Sequence, residues 1–231
     1  PVQCQLITYA QTEEEQVAIL ESLAASIEPS DTITLDVTHG FRHLPMLAMI
    51  AARYLSHVKN VHVQDIYYGA LDMSSSAPDG TDITPVLKLN GMLKMLDWVE
   101  TLAAYHKSGN YGLFSKLYKD DGMPESHAKR LEEAAFFERT GNATDARQHL
   151  NTLLESLDNH SQPLGRLFKE PLNKQIAWTK QKHRGQWEIQ LAKRYLNRED
   201  FFRSIIFLFE GLISNTVYKS NTAASIHEYD V

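Results

Sequence analysis

The hydrophobic period of the chain changes near residue 90, and that change limits the folds open to it. Before it, short β-type runs alternate with helical patterns. Residues 3–9, 32–37, 61–68 and 83–89 read as strands, rich in β-branched and aromatic side chains. Residues 13–27 and 44–55 carry apolar residues at helical spacing, the first of them with acids in its opening turn, where the helix dipole favours them. Such alternation is the pattern of a parallel α/β sheet with crossover helices. After residue 90 the strand pattern stops. Residues 92–107, 112–118, 125–139, 144–158, 186–196 and 200–218 read as helices, the earlier ones parted by Gly109, Gly122 and Gly141. The expectation is an α/β, Rossmann-like parallel-sheet domain over residues 1–90, followed by an all-helical domain over 91–231. A doubly wound sheet usually has about five strands or more, so the first domain is expected to be incomplete at its N-terminus or covered at one edge by a second copy.

Composition removes several classes of function. The formal net charge of −6 speaks against a protein that coats duplex DNA through a broad basic face. A single cysteine, Cys4, builds neither a disulfide framework nor a cysteine zinc site, and a reducing cytoplasm is the expected compartment. The apolar run 44–52 is too short to span a bilayer, and residues 1–10 lack a basic start and a long apolar centre. The chain does not begin with Met, so a start further upstream is expected. No Walker A, G-x-G-x-x-G or G-x-S-x-G motif is present.

The densest chemical signal is Asp36-Val37-Thr38-His39-Gly40-Phe41-Arg42-His43-Leu44-Pro45. A β-run ends in a Thr-His-Gly turn, and a helix follows with Pro45 in its first turn, where a missing N–H costs nothing. Open α/β sheets bind ligands at such strand ends, and free backbone N–H groups at a helix start favour phosphate. Gly40 permits close backbone approach or a positive φ. Thr38 offers a hydroxyl, His39 a ring donor, and Arg42 a planar fork suited to phosphate. Asp36 suits a ribose hydroxyl or pins the turn. A tight turn with Arg42 solvated and His39 packed gives the same pattern, so spacing alone leaves both readings open. The helix after the turn is apolar on nearly every side from Leu44 to Leu55, which calls for burial of two faces. The second cover is either another chain or the helical half.

These residues carry a resemblance. Asp36 to Pro45 is similar to the D-x-T-H-G-F-R-x-L-P signature of CRISPR-associated Rossmann-fold (CARF) proteins of type III systems. Ile66-Tyr67-Tyr68-Gly69-Ala70-Leu71 resembles the family's Tyr-Gly-Ala-Leu strand end, and Leu96-Asp97-Trp98 the helix that leaves the CARF domain. The likeness covers about residues 1–110. It implies a homodimer that binds cyclic oligoadenylate, a second messenger of antiviral defence, as an activating ligand with no other cofactor. By position, Thr38, His39, Gly40, Phe41 and Arg42 are the implied ligand-binding residues, with Asp36, Tyr68 and Gly69 beside them. The implied dimer element is the apolar helix.

The usual partner of such a domain is a HEPN unit, an all-helical, metal-independent ribonuclease acting on RNA through an R-x(4–6)-H motif. The helical half agrees in class, and 200–214 resembles a helix that precedes the motif. The motif itself is absent. Arg53 and His57 have three residues between them, Arg139 and His149 have nine, and no arginine at that spacing precedes His227. Catalytic residues are therefore unassigned: the expectation is that the catalytic segment lies beyond the chain's end, or that the helical unit is inactive or serves another effector. A CARF domain that cleaves its own ligand, and a CARF regulator without nuclease activity, are the alternatives. His62, His106, His127, His149, His160 and His183 show no metal-ligand spacing, so no metal is expected. Lys180, Lys182, His183 and Arg184 form a small basic cluster that reads as a solvated linker, with contact to RNA phosphates as the alternative. The ring size of the messenger is not encoded in these spacings.

Overall fold

The computed structural model describes residues 2, 4–159 and 163–220, so His160 and His227 lie outside the described residues. The chain divides into two units, Pro1–Lys94 and Met95–Val231.

In the first unit, helix α1 (Glu13–Ser26) starts at Thr12, whose hydroxyl accepts from the Glu15 N–H, and three acids occupy its first turn. Its far end is capped from outside: the Lys59 ammonium donates to the carbonyls of Ala24 and Ile27. Strand β1 (Thr32–Asp36) pairs in parallel with β2 (His62–Gly69), and helix α2 (Leu44–Val58) makes the crossover that parallel pairing requires. A small hairpin, β3 (Ser75–Ser76) and β4 (Asp82–Ile83), precedes β5 (Val86–Lys88). The main sheet has the order β1-β2-β5.

Two expectations are corrected here. Residues 4–9 form no strand: they run along the surface with Leu6 fully exposed, and they make no ladder bonds among the described residues. Their β-type composition was real, but a strand exists only through a partner, and none of the described backbone offers one. The last strand, β5, runs antiparallel to β2. The link between them is a hairpin rather than a helix, so the chain returns beside β2 in the opposite sense, and the sheet is mixed. Asn90 locks the arrangement by accepting from the Ile66 N–H at 3.2 Å and donating to the Gln64 carbonyl at 2.7 Å.

The second unit is helical: the rest of α3 (Asn90–Ser108), then α4 (Phe114–Asp120), α5 (Glu125–Arg139), α6 (Ala143–Asn159), α7 (Pro163–Ile176), α8 (Arg184–Leu196) and α9 (Phe201–Lys219). Helix α7 was not among the segments read as helical, and it carries a proline inside it, Pro171. Pro163 sits at the start, where proline is tolerated, while Leu164, Leu172 and Ile176 keep a helical spacing. The unit's core gathers Trp98, Tyr105, Phe114, Leu131, Leu150, Tyr195 and Phe207. At its centre the buried Glu138 carboxylate accepts from the Trp178 indole N–H and the Tyr195 hydroxyl, both at 3.1 Å. Arg194 lies 3.9 Å from the same carboxylate and donates to the Tyr105 hydroxyl, which also accepts from Arg198 at 2.5 Å. Burial raises the Tyr195 and Tyr111 phenols above their ordinary range, so both stay neutral.

Candidate ligand site at the strand ends

The C-terminal ends of β1 and β2 lie side by side, because Asp36 is in register with Tyr67 and the Val37 N–H continues the ladder to the Tyr67 carbonyl at 2.9 Å. In a parallel pair, residues in register share a face, so Asp36, Thr38, Tyr67 and Gly69 stand together. Asp36 closes the turn: its carboxylate accepts from the Thr38 N–H at 2.9 Å. Hydrogen bonds from the Thr38 side chain and backbone hold the Asp36 carboxyl below the ordinary carboxylate range, with a smaller pull from His39. The Thr38 hydroxyl also accepts from the Gly69 N–H at 2.7 Å. A Cβ on Gly69 would fall 2.8 Å from the Thr38 methyl, so only glycine fits there. Thr38 and Gly69 therefore form a latch between the two strand ends.

Beyond the latch the chain turns outward. Gly40 has φ +123°, in the region that favours glycine, and a Cβ there would lie 3.1 Å from Leu44. His39, Gly40, Phe41 and Arg42 are all exposed, and Arg42 makes no hydrogen bond or ion pair among the described residues. The Phe41 ring packs edge-on against Tyr9 at 5.7 Å and stacks on His43 at 5.8 Å. His43 Nε2 is 2.9 Å from the Tyr9 carbonyl, which pins the N-terminal segment beside the start of α2. Tyr68 has the opposite parity to Tyr67 and faces away from Asp36, beside the buried Ile66.

The structure thus brings Asp36, Thr38, His39, Gly40, Phe41, Arg42 and Gly69 to one edge and turns the Tyr68 side chain to the other face. What the sequence reading missed is the row Asp36–Tyr67–Lys88 across the three strands. Tyr67 donates to Asp65 at 3.0 Å, and Lys88 reaches the same carboxylate at 2.5 Å. These bonds, led by the one from Lys88, hold Asp65 below the ordinary carboxylate range. Asp65, Tyr67 and Lys88 were visible as polar residues in strand-like runs, but pairing β5 to β2 requires its direction to be known.

Among the described residues no cluster of His, Cys, Asp or Glu could hold a metal ion, and no helix is long and apolar enough to cross a membrane. A cavity of about 430 Å³ in the second unit, between α4 and α5, is lined by Lys116, Lys119 and Lys129 together with Glu125 and Glu132. The Lys119–Glu125 ion pair, at 2.5 Å, sets opposite charges against each other there, and none of the residues singled out in the sequence lines it.

Residues 7–72 match the CARF domain of the CRISPR system endoribonuclease Csx1, a span that contains the latch and the whole turn. The chain is also 26% identical over 169 residues to a CRISPR-associated protein of Methanocaldococcus jannaschii. That alignment takes in 72% of this chain and 26% of the relative, so the chain spans about a quarter of that protein's length. On these matches, residues 7–72 are similar to a CARF domain, and the chain, a small sheet followed by a helical region, is similar to a CRISPR-associated protein.

Proposed function

We propose that the chain senses cyclic oligoadenylate, that the ligand docks on the 38–42 turn, and that binding controls the helical unit. One observation carries this reading. Arg42, a bidentate donor suited to phosphate, stands exposed and unpaired at the start of α2, beside the positive-φ Gly40 and inside the segment that matches a CARF domain. The latch supports the same reading from below: Thr38 and Gly69 spend their hydrogen bonds on holding the strand ends, which leaves the turn fixed in place before any ligand arrives.

The ligand is read as lying across a two-fold dimer. In support, α2 shows a stripe of exposed apolar residues one turn apart: Met46, Ile50, Tyr54 and Val58. The helical unit is the element to be controlled. Its described residues contain no Arg–His pair at HEPN spacing, so RNA cleavage is not assigned to them.

Calorimetry with cyclic tetra- and hexa-adenylate tests the site. Arg42→Ala is expected to weaken binding by about 1.5–3 kcal/mol, the range for losing charge-assisted hydrogen bonds. Unchanged affinity would sink the assignment. In the same samples a fluorescent RNA is expected to stay intact at saturating messenger, and sedimentation is expected to show a dimer at micromolar concentration. A monomer that still binds would remove the two-fold element from the reading.

A further inference from the structure

The groove between α4 and α5 has a floor of small side chains. A Cβ on Gly112 would fall 3.0 Å from the Ala135 methyl and 3.3 Å from the Glu132 backbone, so the chain just before α4 lies directly on α5. Further along, the Ser115 hydroxyl donates to the Ala128 carbonyl at 2.7 Å, which pins the two helices side by side. No large group rises from this floor. The cavity above it measures about 430 Å³, within the range of about 300–1,000 Å³ for small-molecule sites. Leu113, Lys116 and Lys119 line it on the α4 side, and Glu125, Lys129 and Glu132 on the α5 side.

The charges on these walls are not equally engaged. Lys119 and Glu125 pair with each other at 2.5 Å. Lys129 is drawn to Glu133, four residues on, at 3.7 Å. Lys116 and Glu132 make no hydrogen bond or ion pair among the described residues. An unengaged ammonium thus stands on the α4 wall and an unengaged carboxylate on the α5 wall, beside an aliphatic lining from Leu113 and the lysine stems. A ligand of one sign would be attracted by one wall and repelled by the other. A ligand that carries both signs is attracted by both. We infer that the groove binds a zwitterion with an apolar body, a free α-amino acid or a short peptide, with its carboxylate on Lys116 and its ammonium on Glu132. The site stands apart from the reading of the first unit, because every residue that lines it belongs to the second. The floor held by Gly112 and Ser115 is formed before the ligand enters, which spares the cost of ordering it.

Methyl NMR of the full chain tests the site, with leucine, phenylalanine and the dipeptide leucyl-phenylalanine as probes. The zwitterions are expected to move the methyl signals of Leu113 and Ala128, and the tighter binder tells a free amino acid from a peptide. N-acetyl-leucine, which lacks the ammonium, and leucinamide, which lacks the carboxylate, are expected to bind about tenfold more weakly than leucine, the fold-change for a lost hydrogen bond to a charged group. Removing one wall's charge then separates the two contacts. Lys116→Met is expected to weaken leucine by about tenfold and to leave leucinamide unchanged. Glu132→Gln is expected to weaken leucine to the same degree and to leave N-acetyl-leucine unchanged. Both side chains are exposed, and the indole signal of the buried Trp98 in the same unit checks that each variant keeps its fold. Blocked and free ligands that bind equally, or variants that weaken all of them alike, would overturn the zwitterion assignment. Leu113 and Ala128 methyls unmoved by every zwitterion at millimolar concentration would overturn the site itself.

Discussion

Gly69 has no room for a methyl group, and the reason is a residue on another strand. An added Cβ would fall 2.8 Å from the Thr38 methyl, would push that side chain aside and would stretch the bond from the Gly69 N–H to the Thr38 hydroxyl. Gly69→Ala is expected to cost about 1–3 kcal/mol, the usual range for overpacking, and a urea titration followed by circular dichroism would show it as a lower midpoint. A midpoint equal to that of the unmutated chain would mean that the latch carries no strain and the strand ends tolerate parting. At this scale the sequence was informative about composition and silent about partners. Thr38 stood out as a candidate because it ends a strand, but the group it serves lies 31 residues away. Tyr68 and Tyr67 could not be ranked before the register was known, because neighbouring residues on a strand face opposite ways.

Helices α8 and α9 meet through backbone. A Cβ on Gly185 would fall 2.8 Å from Asn215, and one on Gly211 would fall 2.9 Å from the Ile189 side chain and 3.1 Å from its backbone nitrogen. Alongside this contact the buried Glu188 carboxylate accepts from Arg184 at 2.7 Å and from Ser214 at 2.9 Å. An alanine in place of a mid-helix glycine normally gains about 1 kcal/mol from propensity. Gly211→Ala is expected to go the other way, losing about 1–3 kcal/mol, because the helices would have to separate. Thermal unfolding that shifts upward in this variant would contradict the close approach. Element type was legible wherever one period ran for several turns, as in α5 and α9. It failed where the period was interrupted or where partners decided, as with Pro171 inside α7 and with residues 4–9, which form no strand. The direction of β5 was not legible either, since the hairpin that reverses the chain has strands of two residues each. The apolar surround of α2 was legible, and the structure leaves Met46, Ile50 and Val58 exposed on one side of it.

Across the whole molecule, Glu188 answers acid in the opposite way to Asp36 and Asp65. Asp36 and Asp65 in the first unit are held below their ordinary value of 3.8 by hydrogen bonds, from Thr38 and Lys88 respectively. Their contribution is present above that pH and is lost as the pH falls through the lowered folded values. Glu188 in the second unit is raised above its ordinary 4.5, chiefly by burial, against the opposing pull of Arg184 and with Glu210 adding to the rise. Its folded form holds a proton that the unfolded form gives up, so stability is greatest below 4.5 and declines as the pH rises through the raised folded value. The three tryptophans, Trp98, Trp178 and Trp187, all belong to the second unit, so their fluorescence reports on that unit alone. Its unfolding midpoint is expected to rise as the pH is lowered from 6 toward about 4.5. In Glu188→Gln, which copies the protonated state, that rise is expected to flatten, and an equal rise in both proteins would place the proton elsewhere. The sheet of the first unit has a consequence of another kind. Strand β1 stands at its margin, so the outward N–H and C=O groups of Thr-Ile-Thr-Leu-Asp meet no partner among the described residues. This segment is β-branched, free of proline and carries one charge, the composition that templates cross-chain stacking. Recovery from denaturant will therefore depend on dilution: chains that meet while β1 is formed and bare can add to one another's edge, and the yield of native protein falls as concentration rises.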